Sequence, residues 1–386
     1  MSAMRAIGAL NEVIAPLMPH LMLAPVLLPL LTAALMLLMG EDKQRAKLTL
    51  NMASALLGLG VSVALLGWAD QQGPASTMDV YLAGNWPAPY GIALALDRLS
   101  ALMLVLTSTI ALASSVFAAA RWHRAGVHFH PLFQLQLMGL CGAFLTADLF
   151  NLFVFFEIML AASYGLLLHG SGRVRVQSGL HFIAVNLAAS SLFLIGASML
   201  YGITGTLNMA DLAQGIPQVA EADRGLLHAA AGILATAFLI KAAVWPLNFW
   251  LVPAYSAATA PVGALFALMT KVGIYVILRL WLLLFGVDAP GFDSSDPKTR
   301  TDFNEINHLA ANFRNFCNGM ICLYKCYLVF LFICVKVMAC LSSSPAPAPT
   351  NTSNSSRRFV TTRAAPSNAP SPPLGGLTSW EANSSQ

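Results

Sequence analysis

The chain has 386 residues, of which 57% are hydrophobic and only 10% charged, with a mean hydropathy of +0.68. A soluble domain carries about 25% charged residues, so this composition excludes an ordinary soluble protein and points to a polytopic membrane chain. The formal net charge of +4 is too small to suggest a nucleic-acid partner.

A membrane-spanning helix needs about 20 apolar residues. In chain order, such runs predict eight spans at 20–39, 49–68, 96–120, 131–147, 149–169, 180–203, 226–250 and 259–286. The first is not expected to be a cleaved signal, because it lacks a nearby basic region and a small-residue cleavage site, and more spans follow at once. Lys43, Arg45 and Lys47 follow span one, Arg121 and Arg124 follow span three, and Arg173 and Arg175 follow span five. The alternate loops carry Asp70 and Asp79, and then Asp211, Glu221 and Asp223 against Arg224. Positive loops stay cytoplasmic, so the N-terminus is expected on the periplasmic side. Spans seven and eight carry breakers. Pro246 removes a backbone hydrogen bond, and Pro253 and Pro261 bound the connection LVPAYSAATAPVGA. The expected fold is an all-α polytopic bundle of about eight transmembrane helices, with a broken helix near Pro246.

The character changes after Gly286. Residues 287–341 are polar at first and then Cys-rich and apolar, with Lys325 and Lys336 inside the apolar run at 320–341, which is a possible ninth span. Residues 342–386 are rich in Ser, Pro, Ala, Asn and Thr and are expected to be disordered. Two explanations compete: a genuine regulatory extension, or a reading frame lost near residue 287, which the abruptness of the change favours. Cys317, Cys322, Cys326, Cys334 and Cys340 form no CxxC pair, so no metal site is expected. Cys141 sits alone inside a helix and is expected to be a small buried hydrophobe. No phosphate loop, catalytic triad, haem motif or iron–sulfur motif is visible, so no cofactor is expected and the chain is not expected to be an enzyme.

Three ionisable residues stand in the middle of apolar runs: Glu157 in NLFVFFEIMLAASYGLLL, Lys241 in AGILATAFLIKAAVWPLNFW and Lys271 in VGALFALMTKVGIYVILRL. An ammonium at the centre of a membrane helix costs about 2.5–3.5 kcal/mol on insertion scales, so such residues mark ion or proton routes. Burial disfavours the charged form of each group and pairing favours it, so a Glu and a Lys within reach form an adjustable unit. If the pair is closed, Lys241 stays protonated; if it opens, a proton can leave toward Lys271. A static ion pair joining two helices is the bland alternative. His181 and His228 are accessory candidates for the same relay. Asp148 is expected to cap a helix, and Asp97, beside Arg98, to act as a local cap or ion pair. Arg279 either snorkels outward or lines an exit. Asn186 is expected to hydrogen-bond across helices.

The segments LTADLFNLFVFFEIMLAASYGLLLHG, MLYGITGTLNMADLA and KAAVWPLNFWLVPAYSAATAPVGALFALMTKVGIYVILRL resemble the D subunit of the multisubunit monovalent cation/proton antiporters of the Mrp, Mnh or Pha type. WPAPYGIALALDRLSALM fits as well, and the likeness covers residues 20–286. The Glu, Lys and MTKVG features are shared with antiporter-like subunits of respiratory complex I. The resemblance implies three helices, then two inverted five-helix repeats and a final helix, each repeat holding half a proton channel with a broken helix. It aligns Glu157 and Lys241 with the Glu–Lys pair of the first repeat and Lys271 with the next central lysine.

On that pattern residues 1–130 are the three-helix region, 131–286 the first five-helix repeat, 287–341 an aberrant segment and 342–386 a tail. The second repeat is missing, and LVPAYS departs from the FWLPxxY order of the family. The function implied is that of a membrane subunit of a Na⁺(K⁺)/H⁺ antiporter, C-terminally truncated or frameshifted, in a bacterial inner membrane. Its partners would be sister subunits, protons, Na⁺ or K⁺ and membrane lipid. The alternatives are a proton-pumping arm subunit of an NADH–quinone oxidoreductase and an inactive fragment.

Overall fold

A computed structural model describes residues 18–71, 78–121, 126, 128–169 and 172–284. The segments 287–341 and 342–386, with the expected ninth span at 320–341 and the expected disordered tail, lie outside the described residues. After a single turn at Met18–Leu21 come α1 (Ala24–Leu38) and α2 (Gln44–Gln71). A short antiparallel hairpin follows, β1 (Asp79–Leu82) with β2 (Ala93–Leu96), in the register Asp79 to Leu96. This ribbon lies in the acidic loop, where no strand is expected from the sequence. The helices α3 (Arg98–Arg121), α4 (Phe129–Leu145), α5 (Leu149–Leu168), α6 (Arg173–Thr204) and the short α7 (Met209–Gly215) come next. The described chain closes with α8 (Arg224–Lys241), α9 (Leu251–Ala257) and α10 (Ala260–Leu284). Six of these, α2, α3, α5, α6, α8 (with the turn before it) and α10, are long and apolar enough to cross a membrane; α1 and α4 are shorter apolar helices. Each of the eight expected spans has its helix, although the seventh, expected over 226–250, is helical only to Lys241, and the expected helical bundle is the one observed.

Helix α4 occupies the interior, with polar Gln134 and Gln136 as fully buried as its Phe residues. It packs closely on α5 because two positions are glycine. A Cβ on Gly139 would lie 2.9 Å from that of Met159, and one on Gly142 would lie 2.2 Å from the Phe155 ring. Small residues that let helix backbones approach are the usual means of association in a bilayer, where apolar side chains gain nothing over lipid. On its other side α4 joins the N-terminal helices through polar contacts. Thr32 donates to Ser54 at 3.1 Å and Ser54 to Gln134 at 3.2 Å. Gln134 donates to Asn51 at 2.8 Å and Asn51 to Ser115 at 3.0 Å. Lys47, counted above as a loop charge, is instead 2% exposed on α2. Cys141 is buried and free, as expected.

The turns are built by local capping. Asp148 accepts from the Asn151 N–H at 2.9 Å and starts α5. Burial pushes its carboxyl above the usual range, against the bonds from Asn151 and Phe150. Asp97 and Ser100 exchange backbone-to-side-chain bonds at 2.8 Å in each direction, a reciprocal cap at the start of α3. Arg98 pairs with Asp70 at 3.6 Å, not with its neighbour Asp97.

Candidate proton-relay site

Three helices bring the site together. Glu157 lies on α5, Ser190 on α6 and Lys241 at the end of α8. The Lys241 ammonium donates to the Ser190 hydroxyl at 2.9 Å, and that hydroxyl donates in turn to Oε1 of Glu157. The acid and the amine thus meet through a serine; among the described residues they form no direct ion pair. Lys241 is 5% exposed, and its Nζ sits 4.8 Å from the centroid of the Phe156 ring. The ring face offers the ammonium a weak cation–π contact where water is excluded. Ser190 is buried too, whereas Ser191 is exposed and bonds back to Leu187 of its own helix. One of two adjacent serines therefore serves the site, and the direction of α6 chooses which.

Sequence reasoning places Lys241 fifteen residues into a span running to 250, with the break near Pro246. The structure moves the break. Lys241 is the last residue of α8, and the helix stops five residues before that proline. The physical cause is a C-terminal capping motif. Ala243 takes φ +52°, its N–H bonds the carbonyl of Ile240 at 3.0 Å, and the Val244 N–H bonds that of Leu239 at 3.1 Å. Glycine normally fills the left-handed position, and an alanine there holds about 1–2 kcal/mol of steric strain. The Trp250 indole N–H adds a bond to the Ile240 carbonyl at 3.1 Å, so the freed carbonyl at the break is paired. Helix α10 presses on this point, because a Cβ on Gly273 would lie 2.7 Å from the Ala242 nitrogen.

Lys271 is half-buried in the middle of α10 and makes no hydrogen bond or ion pair among the described residues. One turn later, Tyr275 donates its hydroxyl to the Phe144 carbonyl at 2.8 Å. Arg279 does not snorkel outward, and its guanidinium is held inside the bundle. It donates to the Tyr275 hydroxyl and pairs with Asp97 at 3.6 Å, tying α10 to the start of α3. Asn186 bonds the Phe182 carbonyl of its own helix at 3.0 Å, in place of the expected bond across helices.

The two histidines lie apart from the trio. His181 is exposed with its ring 5.7 Å from that of Phe249, and nine residues on α6 separate it from Ser190, about 13 Å of rise. His228 is exposed near the start of α8, thirteen residues and about 20 Å before Lys241. No cluster of three metal-ligating His, Cys, Asp or Glu side chains occurs among the described residues. The site holds a proton-bearing chain, ammonium to hydroxyl to carboxylate, beside a strained helix end. Ser190 escapes a reading of the sequence because a mid-helix serine in NLAASSLFL is indistinguishable from ordinary helix packing until its partners are known.

Residues 146–292 match the family model described as NADH:quinone oxidoreductase/Mrp antiporter, TM. The chain is 58% identical over 271 residues to the D subunit of a probable K(+)/H(+) antiporter of Rhizobium meliloti strain 1021, covering 70% of this chain and 50% of that one. It is 38% identical over 278 residues to the D subunit of the Na(+)/H(+) antiporter of Alkalihalophilus pseudofirmus, covering 71% and 55%. Among solved structures, the Mrp complex from Dietzia sp. DQ12-45-1b contains a chain with a TM-score of 0.63 and 37% identity, covering 70% of this chain and 50% of that chain. The chain spans about half the length of the curated relatives it matches.

Proposed function

We propose that this chain belongs to the NADH:quinone oxidoreductase/Mrp antiporter membrane family, whose model matches residues 146–292, and works as a D-type membrane subunit of a multisubunit Na⁺(K⁺)/H⁺ antiporter that carries protons through Glu157, Ser190, Lys241 and Lys271. The observation that carries this is the serine bridge between a buried lysine and a half-buried glutamate at a helix break. Both bonds point the same way. If Lys241 passes a proton to the Ser190 oxygen while Ser190 passes its own to Glu157, the ammonium becomes an amine and the carboxylate becomes an acid. Two charges vanish in one concerted shift, which removes the cost of keeping them away from water. The reverse shift restores them. The neutral amine of Lys241 can then exchange protons toward Lys271 on α10, whose helix packs against the break at Gly273.

The two half-helices α8 and α9 fit this role, since discontinuous helices beside ionisable groups are how transporters build ion sites at membrane depth. His181, about two turns into α6, and His228, near the start of α8, are accessory positions for the same relay. The subunit would act with sister subunits in a bacterial inner membrane, with its N-terminus periplasmic by the positive-inside count. The test is cation-dependent proton flux in everted vesicles that carry the assembled complex. Glu157→Gln and Lys241→Ala are each expected to abolish flux with expression intact. Normal flux in either variant ends the relay proposal.

A further inference from the structure

Gln136, on α4, is fully buried, and neither its amide oxygen nor its amide nitrogen has a hydrogen-bond partner among the described residues. A buried amide left bare is rare in native proteins, and such groups are ordinarily met by internal water. The direction of this side chain follows from helix geometry. Residues advance about 100° around an α-helix. Gly139, about 60° to one side of Gln136, abuts Met159 of α5. Phe144, about 80° to the other side, lies against α10, its ring 5.1 Å from that of Tyr275 and its carbonyl bonded by the Tyr275 hydroxyl. Gln136 therefore points into the groove between α5 and α10.

Lys271 faces the same groove. It lies one turn before Tyr275 and within about 40° of it, on the side of α10 away from Gly273, which meets Ala242. The levels agree as well. Arg279 near the end of α10 pairs with Asp97, and Leu94, three residues before Asp97, bridges to Thr146 just past the end of α4. The C-terminal ends of α4 and α10 are thus on one side, and the two helices run the same way. Counting back from the contact between Phe144 and Tyr275, Gln136 lies about 12 Å and Lys271 about 6 Å toward the other side. The difference is about 6 Å. Helical side chains lean toward the N-terminus on both helices, so most of that separation remains between the Lys271 amine and the Gln136 amide, a gap of about the size that one bridging water fills.

We propose that Gln136 and Lys271 hold between them an internal-water site in the groove of α4, α5 and α10, and that Gln136 is a positioning residue for the water that exchanges a proton with Lys271. The water receives up to three polar partners there, the amide oxygen, the amide N–H and the amine, which is the usual number for a buried water. This inference rests on the relay proposed above but concerns a different element, and the two fail separately.

The test uses the whole chain in its complex, in membrane vesicles, with two readouts. The first is X-ray hydroxyl-radical labelling, which marks side chains beside bound water. Met159 and Tyr275, both buried, flank the groove, and fully buried Met36 on α1 is the dry control. In the wild type, Met159 and Tyr275 are expected to label several-fold faster than Met36. Gln136→Met, which keeps length and volume, should reduce them to the Met36 level while thermal stability is unchanged or higher. The second readout is cation-dependent proton flux, expected to fall about tenfold in Gln136→Met and to be retained in Gln136→Glu. Gln136→Leu stands in if the methionine variant does not assemble. Wild-type labelling no faster than Met36, or labelling unchanged in the variants, overturns the water site. Labelling that falls with flux intact overturns the positioning role. If Glu157→Gln and Lys241→Ala keep flux while the labelling contrast persists, the relay fails and the water site stands.

Discussion

Two regions of this molecule bury polar side chains between helices, and they do so in opposite ways. In the N-terminal half, Thr32, Ser54, Gln134, Asn51 and Ser115 form a neutral chain in which each member gives or takes a bond at 2.8 to 3.2 Å. The helices that carry it are continuous there, apart from Pro29 inside α1. In the other half, Glu157, Ser190 and Lys241 form a charged chain that ends at a broken helix with an alanine in the left-handed region. The lesson is that buried polarity alone does not identify a site. Neutral, fully paired groups join helices, whereas charged groups beside a strained backbone are costly to keep and point to function.

That contrast can be broken most sharply at the serine. Ser190→Ala removes the hydroxyl that links the acid to the amine, and is expected to cut cation-dependent proton flux by on the order of a hundredfold, as loss of a proton-transfer group does. Ser190→Thr, which keeps a hydroxyl on the same carbon, should restore much of it. Flux assays on the two variants side by side decide this, and equal, undiminished flux in both would show that the bridge is only packing.

The helix break gives the next test. Gly273→Ala places a Cβ 2.7 Å from the backbone nitrogen of Ala242, where no flexible side chain can yield. It is expected to cost about 1–3 kcal/mol of stability by overpacking, read as a lower melting temperature of the detergent-solubilised protein. Flux should fall as well, because the displaced backbone carries Lys241. A silent Gly273→Ala would mean that α10 does not fix the break.

The smallest expected effect sharpens the comparison from the neutral side. Gln134→Leu takes out the centre of the N-terminal chain and leaves Ser54 and Asn51 each short of a partner. It is expected to lower stability by about 1–2 kcal/mol, since interhelical bonds in membrane proteins average about 0.6 kcal/mol each, while flux stays near normal. A large flux loss at unchanged stability would put this neutral chain among the functional groups and erase the distinction.

The order of amino acids alone supplies the number and approximate placement of the spans, the three ionisable residues worth attention and the presence of a break. These are local properties: a run of apolar side chains long enough for a bilayer, the cost of a charge inside it, and a proline that cannot donate. Partners and directions are not local. Lys47 looks like a loop charge and is buried on α2; Arg279, which could snorkel outward or line an exit by its position alone, is held by Asp97 and Tyr275. The break begins at Lys241 because of a capping motif at Ala243 that no proline signals. Ser190 becomes part of the site, and Gln136 a candidate, only once the packing of α4, α5, α6, α8 and α10 is known. A hydroxyl or an amide in a helix is chemically ordinary, and its role depends on which neighbouring helix lies a few ångströms away, a matter that three-dimensional packing settles.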